Sequence, residues 1–444
     1  MEANHAVSRY SARHRLARTV HPGVPRPMSE TAGASGNRIR VLTICGGGNA
    51  GHALAVVASK HATAHIDWLV GSAERADLLR RGLSRGGLRS TGVITAEADR
   101  LRTISSDPAE VIPNADMVLL AVPAFAHAAV LGRIRMHVGD ATPVGCLPTR
   151  GGFEFEAARY LPRRGRRRRW IFGLQTLPWS TRVVKPGEVV NIGAAKAEAT
   201  VASLPAGCVA YLAHELSQIL GTRLVPTESF LSLTLGNPGQ FIHPGLMYGH
   251  FHSWKGERYD EASIPMFYAA ATDEMGEIVE RLSSEAIAVA GALKARSGGA
   301  LSLEHVQSVH DWLRSSYADV TADSSTVATC FRTGPIQVRR APMIEVTPGN
   351  FIPNLQYRYL TEDVPYGLVV TRALAEIVSV ATPMIDKVIS WAQRSMNKVY
   401  LIGGRLQGPD ITDLPIPQAH GILSLDDLIT WYSAEAADHV RLRR

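Results

Sequence analysis

The stretch IRVLTICGGGNAGHALAVVASKH, residues Ile39 to His61, constrains the fold more than any other part of this chain. An apolar run from Val41 to Cys45 predicts a strand, and Ala53, Leu54, Val56 and Val57 stand at helical spacing. Between them Gly46, Gly48 and Gly51 fit G-x-G-x-x-G. In that motif the first glycine permits a tight turn and the second lets backbone approach a pyrophosphate. The third lets helix and strand pack closely. The helix then offers free N–H groups and the positive end of its dipole to phosphates. Gly46, Gly48, Asn49, Ala50 and Gly51 are therefore expected to cradle a dinucleotide.

Further along, HIDWLVGS, ADMVLLAVPAFAHAAVLGRI, ATPVGCLP and RWIFGLQTLPW read as short buried strands alternating with helical segments. Such alternation predicts a parallel, doubly wound α/β sheet. After about residue 200 the texture becomes helical, beginning with the amphipathic AGCVAYLAHELSQILG. The expected organisation is a basic arm over 1–37, a dinucleotide-binding domain over 38–220 and a helical substrate domain over 221–444. A chain of 444 residues exceeds one ordinary core, which agrees with two domains.

The net charge of +7 invites a polyanion reading, but its distribution argues against one. Residues 1–27 carry a net +4 and the run Arg163–Arg169 adds +6, so the rest is mildly acidic at −3. The run reads as a solvated loop tip, with no aromatic interleaving or nucleic-acid module beside it. The arm is rich in Arg, Ser, Gly and Pro and reads as disordered. Met28 looks like a natural start, so the preceding segment is expected to be a translation-start artefact or a loose tail. No apolar run approaches the ~20 residues of a membrane span, and no apolar h-region marks a secretory signal. Cys45, Cys146, Cys208 and Cys330 are scattered without metal-type spacing, as suits reduced thiols in the cytoplasm. No metal, nucleic acid or membrane partner is expected, and the chain is expected to act as a monomer or homodimer.

Cofactor choice is read at the end of the second strand. An acid there usually holds the ribose 2′-OH of NAD. After Val70 come Gly71, Ser72, Ala73, Glu74 and Arg75. Ser72 and Arg75 suit a 2′-phosphate, which favours NADP(H), while Glu74 keeps NAD(H) open. Pro123 breaks the strand that begins at Met117, at the carboxyl edge where open sheets bind ligands, and the nicotinamide is expected to lie there.

A helical domain opposite such a site must supply a proton donor and a cation for any carboxylate. GNPGQFIHPG offers His243 in a glycine- and proline-rich break, and NLQYRYLTEDVPYGLVV offers Arg358, Glu362 and Asp363 at a predicted helix start. A protonated imidazole can donate as charge develops, and a carboxylate on its far nitrogen fixes the tautomer and favours the charged form. Arg358 can grip a carboxylate with two parallel bonds. Asn237 is placed to orient the imidazole or the nicotinamide amide. His250 and His252 read as a surface turn, His310 with Asp311 as a helix pair, and Lys196 and Lys255 have no assigned role.

Together GGGNAGHA, LAVPAFAH, LPW (Leu177–Trp179), NPGQFIHPG and RYLTEDVPYGL resemble the opine dehydrogenases, the octopine/nopaline dehydrogenase family, over roughly residues 38–400. The resemblance implies a Rossmann-type domain followed by an all-helical domain of the 6-phosphogluconate-dehydrogenase-like type. It implies that an α-amino acid and an α-keto acid, often pyruvate, condense to an imine that NAD(P)H reduces. By the same resemblance His243 matches the catalytic histidine, Asp363 its carboxylate partner and Arg358 the arginine that binds a substrate carboxylate. Two substrate positions depart from it. Arg150 stands where animal members carry an uncharged polar residue, and Thr181 where some carry cysteine.

Two rivals remain at this stage. One is another two-domain reductase, of the ketopantoate, glycerol-3-phosphate or 3-hydroxyacyl kind. The first two of these rely on a catalytic lysine that no motif here supplies. The other is a non-catalytic NADP-binding sensor, which needs no His–Asp–Arg set.

Overall fold

The computed structural model describes residues 39–161, 170–227, 229–335 and 338–436. The basic arm and the run Arg163–Arg169 lie outside the described residues. Eleven strands precede residue 227: β1 Val41–Cys45, β2 His65–Leu69, β3 Arg89–Gly92, β4 Leu101–Ser105, β5 Met117–Leu120, β6 Val144–Cys146, β7 Ile171–Leu174, β8 Trp179–Lys185, β9 Val189–Ala195, β10 Glu198–Leu204 and β11 Arg223–Pro226. Eight form one sheet in the order β11-β10-β7-β6-β5-β1-β2-β4. It is parallel except that β10 runs antiparallel to β7. Because β1 lies between β2 and β5, the winding direction reverses beside it, and a crevice opens there at the strand carboxyl ends.

Side-chain alternation explains why both faces are covered. On β5, Met117 and Leu119 enter the core that contains Leu42, Ile44 and Trp68. Val118 and Leu120 enter the opposite core with Cys45 and Leu69. Strands apolar on both faces need helices on both sides. A second sheet, β3-β9-β8, was not anticipated from sequence; its strands carry Thr, Arg and Lys between their apolar residues.

From Phe230 onward the chain is mainly helical around a core that includes Leu246, Val279, Leu282, Leu360, Leu368 and Ile385. Two small ribbons interrupt it, Met343–Thr347 with Asn350–Pro353 and Leu401–Ile402 with Arg405–Leu406. The helix Leu425–Ala436 returns to the first half, where Tyr432 donates to Glu154 at 3.0 Å. Among the described residues no helix is long and apolar enough to cross a membrane.

Candidate active site

The glycine turn follows β1 as the motif requires. Gly46 has φ +129°, and a Cβ there would stand 2.5 Å from the Ala121 carbonyl at the end of β5. Its own carbonyl accepts from the buried Trp68 indole at 2.9 Å. Gly51 packs so closely that a Cβ would lie 1.9 Å from that carbonyl. Gly48 is different: nothing lies within 4 Å of an added Cβ. It caps the helix Asn49–His61, which has no side-chain cap and no acid in its first turn. An open backbone edge at an uncapped helix N-terminus fits a dinucleotide pyrophosphate. Asn49 faces another task, accepting from the Val183 amide at 2.8 Å and so tying the turn to β8. Ala50 is half-buried beside it.

At the end of β2, Ser72 caps the helix Ala73–Leu83 by accepting from the Arg75 amide at 3.3 Å. The Arg75 guanidinium turns back to the Gly47 carbonyl at 2.6 Å. Both residues therefore stand beside the glycine turn. Glu74 is exposed, and its bond with the Ser72 hydroxyl holds its pKa below the usual carboxylate value.

After β5, Pro123 starts a short turn of 3-10 helix, and the Ala124 amide donates to Glu362 at 3.0 Å. This bond links the loop after β5 directly to the helical half. Nothing in the sequence around Glu362 points to this bond.

His243 sits within the helix Gly239–Phe251, not in a loop. The break lies one turn earlier, at Asn237 and Pro238, between that helix and Phe230–Gly236. Pro244 is inside the helix, and Gly245 lets it approach Val279, where a Cβ would stand at 2.8 Å. The His243 Nδ1 is 2.8 Å from Asp363 Oδ2, and the ring stacks on Tyr359 with centroids 4.0 Å apart and planes 14° apart. Asp363 is buried, and its side chain caps no helix. It stands just before a π-helical turn, Val364–Leu368, of the kind that often marks functional sites. With the Nδ1 proton committed to the carboxylate, Nε2 is the free atom; no hydrogen-bond partner meets it among the described residues.

Beneath this pair lies a buried ionic junction. Arg150 approaches Asp363 Oδ1 at 3.2 Å and Glu362 Oε1 at 3.5 Å, and donates to Asn237 Oδ1 at 2.7 Å. The Asp363 contact is an ion pair without hydrogen-bond alignment, so Oδ1 has no hydrogen-bond partner among the described residues. Burial opposes the Arg150 charge, but the Asp363 and Glu362 carboxylates outweigh it and raise its pKa. Burial likewise pushes Glu362 up, yet Arg150 and Arg358 pull it below the usual range.

Asn237 does not meet His243. Its oxygen accepts from Arg150 and from the Gly239 amide, and its nitrogen donates to the Thr149 and Gln175 carbonyls. All four of its hydrogen-bonding positions are used. Arg358 binds Glu362 through Nε at 2.8 Å and Nη2 at 2.5 Å, while its side chain stays 45% exposed. One face of it therefore remains available to a ligand. Thr181 is half-buried on β8.

A pocket of about 380 Å³ lies beside Tyr359, the ring stacked on His243; it is lined in part by Arg182, Arg339, Arg340, Asn354, Tyr357 and Tyr359. None of its arginines was singled out from sequence, because they come from separate segments. Other candidates resolve structurally. His250 and His252 bond to the Phe267 and Tyr248 carbonyls, and His310 to that of Ser324. Lys196 donates to the Leu177 carbonyl at 2.7 Å, and burial lowers its pKa to about 8. Lys255 is exposed. No cluster of three metal-ligating side chains occurs among the described residues.

The comparisons agree with this geometry. The family described as NAD/NADP octopine/nopaline dehydrogenase, alpha-helical domain, matches residues 226–396. Tauropine dehydrogenase from Arabella iricolor is 31% identical over 400 residues, covering 88% of this chain and 100% of its own. A structure of octopine dehydrogenase with NADH and agmatine superposes with TM-score 0.78 at 26% identity, over 88% of this chain and 98% of that one. Another, with NADH and pyruvate, gives TM-score 0.76 at 27% identity over the same shares. Near-full-length similarity to these dehydrogenases, in a chain with a glycine turn after β1 and a histidine–aspartate pair in its helical half, places it in the octopine/nopaline dehydrogenase family, NAD(P)-dependent oxidoreductases that act on CH–NH bonds.

Proposed function

We propose that His243, held by Asp363, is the acid–base group in the reductive condensation of an α-amino acid with a pyruvate-like α-keto acid. The observation that carries this reading is the 2.8 Å contact between His243 Nδ1 and Asp363 Oδ2. It fixes the tautomer and leaves Nε2 to exchange a proton with substrate. Condensation requires a proton on the departing carbonyl oxygen, and reduction requires one on the nascent amine. The glycine turn and Pro123 would hold NAD(P)H, which when bound would supply the hydride. Tyr359 keeps the imidazole plane fixed by stacking. Arg358 takes the keto-acid carboxylate on its exposed face, orienting the reacting carbon. Arg150, ion-paired with Asp363 and Glu362 and itself bonded to Asn237, acts beneath the pair as a positioning residue. Thr181 is assigned to the amino-acid side.

For the cofactor we infer NADP(H) over NAD(H). The support is a guanidinium and a hydroxyl, Arg75 and Ser72, beside the turn, with no acid between Leu69 and Ser72. Four buried free cysteines suit a reducing cytoplasm.

The test is steady-state oxidation of NADPH and of NADH with a keto acid, with amino acids and with both. Oxidation is expected only with both substrates present, and faster with NADPH. Oxidation by the keto acid alone, unaffected by any amino acid, points instead to a plain keto-acid reductase.

A further inference from the structure

The pocket beside Tyr359 is strongly positive. Three guanidinium groups line it, Arg182, Arg339 and Arg340, with Asn354, Tyr357 and Tyr359, and no acid is among its lining residues. Their protein partners differ. Arg340 is paired with Glu261 at 3.2 Å. Arg339 reaches only neutral groups, the Ser180 hydroxyl at 3.3 Å and Tyr359. The Arg182 side chain, exposed on β8, has no hydrogen-bond or ion-pair partner among the described residues. Two cations thus face the pocket without a counter-charge.

The pocket is joined to the chemistry through one side chain. Tyr359 lines it and also stacks on His243 with centroids 4.0 Å apart. His243 does not line the pocket, so a substrate whose amino nitrogen reacts at His243 would reach it by extending its side chain past the Tyr359 ring. A cationic side chain there meets uncompensated like charge. A carboxylate meets planar donors suited to paired hydrogen bonds.

Resting on the reading that this chain condenses an amino acid with a keto acid, we propose that the pocket selects an amino acid with an acidic side chain, whose carboxylate is held by Arg182 and Arg339. Arg182 is the specificity-determining position. Arg339 has a second duty through its bond to the Tyr359 hydroxyl, so its substitution also disturbs the stack on His243.

The experiment compares glutamate with glutamine, and aspartate with asparagine, at saturating pyruvate and NADPH. The acid is expected to exceed its amide by about tenfold or more in kcat/KM, the scale of a charged hydrogen-bonded contact. Arg182→Gln is expected to bring that ratio to within about twofold, and Arg182→Glu to shift preference toward lysine. Equal use of acid and amide by the unmodified enzyme overturns the proposal, as does a preference for lysine or arginine. An Arg182→Gln variant that lowers all amino acids alike, or that raises only the NADPH KM, also overturns it, because the arginine then holds the α-carboxylate or the cofactor. If no amino acid supports turnover, the condensation reading itself fails, and calorimetry on the NADPH-bound enzyme decides the pocket separately. Tighter glutamate than glutamine binding, lost in Arg182→Gln, sustains an acid-binding site; equal binding removes it.

Discussion

At Gly46–Gly51, six consecutive residues form an open turn from backbone alone, and its tightest contacts are those that leave no room for a Cβ. At His243–Asp363, two side chains 120 positions apart meet at 2.8 Å, supported from below by Arg150, Asn237 and Glu362. The first region is spoiled by adding atoms and the second by removing them. The difference also governs charge. The turn offers partial charges that need no counter-ion, whereas the junction buries full charges that hold only because each has a partner.

The largest expected effect comes from unpairing the junction. Arg150→Gln removes the buried cation that Asp363 and Glu362 share, leaving Asp363 to His243 and Glu362 to the half-exposed Arg358, and should lower the unfolding free energy by about 3 kcal/mol in denaturant titration. A change below about 1 kcal/mol would mean that Arg358 and His243 alone compensate these carboxylates.

Glu154 sharpens the contrast, being an acid buried with no cation. It accepts from Thr234 at 2.8 Å and from Tyr432 at 3.0 Å, and burial pushes its pKa up to about 7. The folded state therefore favours the protonated form. That stability is complete below the unfolded value near 4.5 and is lost as pH rises through about 7. Glu154→Gln should match the unmodified protein at pH 5 and exceed it at pH 8 by on the order of 2 kcal/mol. Glu156, pushed to about 7 by its own burial, titrates in the same window in both proteins, so the difference isolates Glu154.

The smaller effects separate two glycines of one turn. Gly51→Ala forces a Cβ to 1.9 Å from the Gly46 carbonyl and should cost about 1–3 kcal/mol of stability. Gly48→Ala meets nothing within 4 Å and should change stability by less than about 0.5 kcal/mol, while weakening cofactor binding in a fluorescence titration. Equal stability losses at the two positions would contradict the distinction between packing glycine and binding glycine.

The two regions also differ in how far the sequence discloses them. The turn is local, so strand, glycines and helix are read in one window and the structure reproduces them. His243, Asp363 and Arg358 stand out as residue types and by resemblance, but their partners do not. Arg150 looked like a substrate group because nothing local shows that it is buried between Asp363, Glu362 and Asn237. In sequence the helix carrying His243 reads as a break because Pro244 lies in it and because it is buried on nearly every side. It therefore shows no amphipathic stripe. The arginine pocket was illegible for a related reason: Arg182 comes from β8, while Arg339 and Arg340 come from a loop more than a hundred residues later.

His243→Ala tests the central claim most directly, with NADPH binding and condensation turnover measured on the same preparation. Turnover should fall by about 10²–10⁴-fold, the usual worth of a positioned acid–base group, while the NADPH dissociation constant stays within about twofold. Turnover within about threefold of the unmodified enzyme, at unchanged cofactor affinity, would contradict the assignment of the proton to His243.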